Sequence, residues 1–297
     1  MRSADIGLGP EGAGDAPPPG LEAARGAAGL SDLAVLVLRE PEPRRKAEMA
    51  RYAAARWLRR DIDGIGAAAP PDRPARPERP ELLPPAKMPR RKIGAAPEGR
   101  IALLHAVAHI ELNAIDLAFD MVARFAGVGM PTGFFDDWVT IGDDEARHFQ
   151  LLDNRLAALG ARYGDLPAHD GLWRAAMETA DDLLNRLAVV PMVLEARGLD
   201  VTPGMIAKLS AAGDSESAAV LTIIHDEEIG HVAAGRRWFE HLCEVRGLEP
   251  VATWRAIVAE RFRGGLKPPF NSESRSLAGF AEAYYTPPPE AGEGGAS

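Results

Sequence analysis

Twice between residues 100 and 246 the chain repeats one spacing: a lone Glu, then a Glu-x-x-His. Glu111 precedes Glu145-Ala-Arg-His148 by 34 residues, and Glu195 precedes Glu228-Ile-Gly-His231 by 33. Each group falls in a stretch with helical periodicity, where successive residues turn by about 100°. Leu104, Val107, Ala108, Ile115, Ala118 and Val122 share one arc, and Glu111 sits in its middle. Trp138, Ile141, Phe149, Leu152 and Leu156 surround Glu145 and His148 in the same way. Leu221, Ile224, Val232, Trp238, Phe239 and Leu242 surround Glu228 and His231. Glu195 shares a side with Met177, Leu184, Ala188 and Pro191, towards the edge of the arc. An ionised carboxylate in a core costs several kcal/mol or changes its protonation state. Four of them with two histidines therefore need a shared counter-charge. A pair of divalent metal ions supplies one, and carboxylates with imidazole suit iron or manganese.

The same repeat organises the rest of the reading. Each single Glu is followed five residues later by an Asp, Asp116 or Asp200, so the region reads as a duplicated helical hairpin. Periodicity predicts an all-α protein with long helices over 100–126, 135–160, 171–197 and 214–246. The breaks are GVGMPTG, GARYGDLPAHDG and GLDVTPGMIAKLSAAGD, the last with room for a short helix. Residues 1–30, rich in Gly, Ala and Pro, are expected to be disordered. Residues 31–98 are expected to hold two N-terminal helices and a Pro-rich extended segment packing on the bundle of 99–247. A C-terminal helix and tail would fill 248–297. Nine prolines between Pro70 and Pro97 impose the extended segment.

Composition narrows the function. A net charge of −9 argues against nucleic acid and anionic lipid as partners, so the basic PRRK at 89–92 is expected to pair with acidic surface. One cysteine, Cys243, excludes a disulfide framework or a Cys-based zinc site within the chain. The N-terminus has no signal-like apolar run, and no uninterrupted apolar stretch approaches membrane-spanning length. The expectation is a soluble cytoplasmic protein without a membrane partner.

The runs EGRIALLHAVAHIELNAIDLAFD, RLAVVPMVLEARGLDVTPGM and DEEIGHVAAGRRWF resemble a bacterial family, a domain of unknown function, in the ferritin-like superfamily. The resemblance covers roughly residues 30–280 and is densest from 97 to 245. It implies a ferritin-like four-helix bundle with a carboxylate-bridged di-metal centre, a template of one Glu from each of two helices and Glu-x-x-His from the others. Glu111, Glu145, His148, Glu195, Glu228 and His231 would then be the ligands. In ligand pattern alone the chain is also similar to tRNA-(methylthio-isopentenyl-adenosine) hydroxylase, a di-iron monooxygenase.

The expected function is a di-iron, or mixed manganese/iron, oxidoreductase. Two ions bridged by Glu145 and Glu228, and capped by the other four ligands, would bind and reduce dioxygen. Electrons would come from an external reductant, since no flavin or nicotinamide fingerprint is present. A small-molecule substrate would enter near the metals, and the chain would be a monomer or dimer. The alternatives are a ferroxidase or iron-storage protein and a metal-stabilised scaffold without activity. Glu227 competes with Glu228 as a ligand of the fourth helix. Asp144, Glu227 and His225 are expected around the metals rather than on them. His105 and His109 are expected to bond Asp116 or the N-terminal segment, and Trp138 and Trp238 to be core. Pro191, one turn before Glu195, should kink or widen its helix.

Overall fold

A computed structural model of the chain describes residues 22–88 and 96–286. The N-terminal residues 1–21, the PRRK at 89–92 and the tail from 287 lie outside the described residues. After a 3₁₀ turn (Glu22–Gly26) the order is α1 (Leu30–Arg39), α2 (Pro43–Leu58), α3 (Pro97–Arg124), α4 (Thr132–Ala158), α5 (Gly171–Met177) and α6 (Leu183–Val189). A π-helical segment (Val190–Glu195) leads into α7 (Ala196–Ala211). Then follow α8 (Ser215–Arg246), α9 (Pro250–Arg261), α10 (Ser272–Leu277) and α11 (Glu282–Tyr285). The fold is all-α, and no strand occurs among the described residues; a single isolated bridge pairs Leu82 with Ala168.

Helix starts follow local chemistry. Glu42 accepts from the backbone N–H of Arg44 and Arg45 (3.2 and 2.7 Å), with Pro43 in the first turn of α2. Glu249 and Pro250 repeat that device at α9. Asp214 accepts from Ser217 N–H at the start of α8, which ends at Gly247 in the left-handed region (φ 67°).

The chain divides into two compact units. Among the described residues, unit 1 holds 22–81 and 105–167, and unit 2 holds 82–88, 96–104 and 168–286. In unit 1, α2 packs along α4 and against α1. Its core is formed by Leu33, Leu38, Met49, Phe119, Phe134, Phe135, Trp138 and Phe149. Gly142 of α4 faces the Phe119 ring so closely that a Cβ would lie 2.6 Å from it. The Pro-rich stretch is extended and bonded to the helices, with Ala75 N–H on Leu38 O (2.7 Å) and Ala68 N–H on Ser31 Oγ (2.9 Å).

In unit 2, α6, the π segment, α7 and α9 all pack on α8. Here the structure corrects the sequence reading. The predicted helix 171–197 is broken: α5 stops near Thr179, whose Oγ donates to Ala176 O (2.9 Å), and Asp182 starts α6 by accepting from Leu184 N–H (3.3 Å). These short polar side chains offer the backbone an alternative to helix. The predicted break GLDVTPGMIAKLSAAGD is instead mostly α7. Buried Leu199 and Leu209 hold it helical despite Gly198 and Pro203, because tertiary packing overrides local propensity.

The stretch Pro97–Val128 has the length and mean hydropathy to cross a membrane. However, 78% of its most apolar window is buried in the protein. Glu111, Asp116 and Asp120 also interrupt it, so α3 is a core helix.

Candidate metal centre

Unit 1 builds its donor group from two helices. Glu111 projects from α3, and Glu145 and His148 from α4, where i,i+3 spacing sets the last two on one face. All three are buried, with relative exposures of 2%, 0% and 0%. His148 Nδ1 lies 3.3 Å from Glu111 Oε2 and 3.5 Å from Glu145 Oε2. One ligand atom from each of the three lies within 4.8 Å of the others. Burial, and then the neighbouring Glu145 carboxylate, holds the Glu111 carboxyl well above its ordinary value, while the His148 contact opposes this. Two carboxylates confined without water repel one another, and a proton or a cation relieves the repulsion. Two carboxylates with one imidazole form a donor set that could hold a metal ion of the iron or manganese type.

In unit 2, Glu228 and His231 repeat the i,i+3 spacing of Glu145 and His148. His231 Nδ1 lies 3.6 Å from Glu228 Oε2 on α8; the His231 side chain is 3% exposed and that of Glu228 13%. Glu195 closes the π segment. Pro191 within it has no N–H to give, so the turn widens as its position predicts. The widened turn presses on α8, where a Cβ at Gly235 would meet the Pro191 ring at 2.3 and 2.5 Å.

The remaining predicted residues take varied places. Asp144 pairs with Arg147 one turn on (2.9 Å). Glu227 is half-buried on α8 beside Glu228. His225 is bonded through Nε2 to Ser274 Oγ (3.2 Å), with Nδ1 3.4 Å from Asp226.

For His105 and His109 the structure shows partners other than Asp116. His105 Nε2 accepts from the backbone N–H of Gly164 and Leu166, and His109 Nδ1 bonds Tyr163 Oη at 2.8 Å. Both rings stack on Tyr163, so they hold the loop after α4 rather than Asp116. Asp116 belongs to Lys46 and Arg76, a pairing that sequence reasoning missed. Its one signal was the Asp five residues after each single Glu. Cys243 is buried, and burial pushes its thiol up to about 11, which removes it as a nucleophile.

Fold and site thus define a class: an all-helical protein with a buried Glu/His cluster that could hold a metal ion. A family model described as "Protein of unknown function (DUF455)" matches residues 39–286, and the chain belongs to that family. It is also 40% identical over 211 residues to an uncharacterized protein of Haemophilus influenzae, covering 69% of this chain and 73% of that one. No solved structure matches the chain.

Proposed function

We propose that the protein is a ferritin-like di-metal carboxylate oxidoreductase with Glu111, Glu145, His148, Glu195, Glu228 and His231 as its metal ligands. The observation that carries this reading is the unit 1 triad. Its three buried donors have ligand atoms within 4.8 Å of one another, and burial beside Glu145 holds the Glu111 carboxyl well above its ordinary value. The matched spacing in unit 2, with a second Glu and His in contact, supports a second ion. Bound there, a pair of iron ions, or manganese with iron, would supply dioxygen chemistry driven by an external reductant.

The chain's own residues have separable tasks. Glu111, Glu145 and His148 would hold the ion in unit 1. These three donors are at most 2% exposed, so charge there is felt in a low-dielectric surround. Carboxylates neutralise the oxidised ions better than neutral ligands would.

The test is metal analysis of aerobically purified protein, followed by anaerobic optical titration with ferrous iron. Two ions per chain are expected, falling to less than one in Glu145→Ala and Glu228→Ala. Less than one ion per chain in the wild type, or no change in the variants, would overturn the reading. A many-subunit cage in gel filtration, in place of a monomer or dimer, would favour iron storage over oxygenation.

A further inference from the structure

Two helices that give no donor to either triad are each bonded to both helices that do. In unit 1, α2 reaches α3 through Lys46, whose Nζ donates to Asp116 Oδ1 at 2.5 Å. It reaches α4 through Arg51 on Asp143 (3.1 Å) and Arg44 on Asp153 (2.5 Å). Arg76 of the Pro-rich segment adds a second cation to Asp116, at 2.9 Å, and donates to Asn113 Oδ1 at 2.6 Å.

In unit 2, α10 plays the same part. Arg275 donates to both oxygens of Asp200 on α7, at 2.9 and 2.8 Å, and the backbone N–H of Asn271 donates to the same carboxylate at 2.9 Å. The next contact runs to α8, from Ser274 Oγ to His225 Nε2 (3.2 Å), three residues before Glu228. The rings of Phe270, Phe280 and Tyr285, 4.8, 5.4 and 4.4 Å from the Arg275 guanidinium, hold that group in place.

The acceptors sit at one offset. Asp116 follows Glu111 by five residues and Asp200 follows Glu195 by five. Five residues span about 140° around an α-helix and about 7.5 Å along it. The acceptor thus points away from the donor carboxylate, and a bond there sets the rotation and height of the helix without entering the donor's own contacts. The side chains of both aspartates and of Lys46 are fully buried, and the Arg275 side chain is 3% exposed. Plain packing could hold a helix without the desolvation such pairs cost. What a fork on a carboxylate adds is a fixed direction. Unit 2 needs that most, since the π segment changes the rotation at which α7 leaves α6.

We infer that Asp116 and Asp200, with Lys46, Arg76 and Arg275, are positioning residues that set how Glu111 and Glu195 are presented to metal. The inference rests on the di-metal reading above.

The test is anaerobic Co(II) titration of the full chain, read by visible d–d absorption, with circular dichroism and melting on the same samples. Asp200→Asn and Arg76→Gln should keep the wild-type helical signal. They should bind Co(II) about tenfold more weakly and with altered band intensities, as expected when a residue orienting a ligand is lost. Arg275→Lys keeps the charge but not the fork, and should fall between them and the wild type. Tyr284→Phe, which loses a bond to Glu240 (2.8 Å) outside this set, should titrate like the wild type. Should Asp200→Asn fail to fold, Arg275→Lys and Arg76→Gln carry the decision. Folded variants with wild-type Co(II) titrations would overturn the positioning role and leave the di-metal reading standing. A wild type that takes up no Co(II) would overturn both.

Discussion

The helix carrying Glu111 and the helix carrying Glu195 share one spacing in the sequence and differ in backbone. The first is an unbroken α-helix of 28 residues. The second is assembled from α6, a π segment and α7. Four residues before the Glu stands Val107 in one and Pro191 in the other, and four residues after the His stands Leu152 in one and Gly235 in the other. Pro191 widens the turn and Gly235 makes room for its ring, so the two replacements form one steric unit. The donors differ accordingly: Glu145 is fully buried, whereas the Glu228 side chain keeps 13% exposure. Repeating a donor pattern thus does not require repeating the backbone that carries it, provided something outside the hairpin resets the helix.

The largest effect should come from unit 1. Asp116→Ala leaves Lys46 buried without its carboxylate, and removing one member of a buried pair costs about 3–5 kcal/mol. Urea denaturation should show it, and a loss below about 1 kcal/mol would mean that Val37 O and Leu38 O satisfy Lys46 unaided.

Next in size is Gly235→Ala, because the added Cβ meets the Pro191 ring, which cannot swing away without moving its backbone. Overpacking of this kind costs about 1–3 kcal/mol. Gly230, two residues after Glu228, has nothing within 4 Å. There the same substitution should stabilise the protein by up to about 1 kcal/mol through helix propensity. Thermal melts of the two variants moving in the same direction would break the pairing of Pro191 with Gly235.

The smallest effect concerns the unit 1 carboxylates. Burial and Glu145 raise Glu111 above its ordinary value of 4.5. The folded metal-free protein therefore binds more protons than the unfolded chain above that pH, and its stability declines as pH rises from there. Glu111→Gln should remove that decline and stabilise the chelator-treated protein by about 1 kcal/mol near neutral pH, while weakening metal uptake. Melts across a pH series check this. An unchanged pH slope would place the charge conflict on other groups than Glu111.

Some of the site was legible before any coordinates. The candidate donors stood out because each occupies the middle or edge of an apolar arc where charge is costly, and helical periodicity is a local property. Pro191 announced its widened turn because the missing N–H is covalent fact. The interruption between Met177 and Leu183 was not legible, since Thr179 and Asp182 act through side-chain bonds to nearby backbone that compete closely with helix. Neither was the helix through Pro203, which survives only because Leu199 and Leu209 are buried. The bonds of His105 and His109 to the loop after α4 were not legible for the same reason: Tyr163 lies more than fifty residues from His109 in the chain.

By itself, then, the sequence determined an all-helical chain, the repeated spacing of a Glu and a Glu-x-x-His, and the Asp placed five residues beyond each single Glu. Each of these depends only on the 3.6-residue turn and the cost of burying charge. Only the tertiary structure decided that Lys46, Arg76 and Arg275 reach those aspartates from other elements, and that α2 and α10 are each bonded to two neighbouring helices. Pairings at separations of 70 and 75 residues depend on how elements pack, and packing is not written in the period of any one helix.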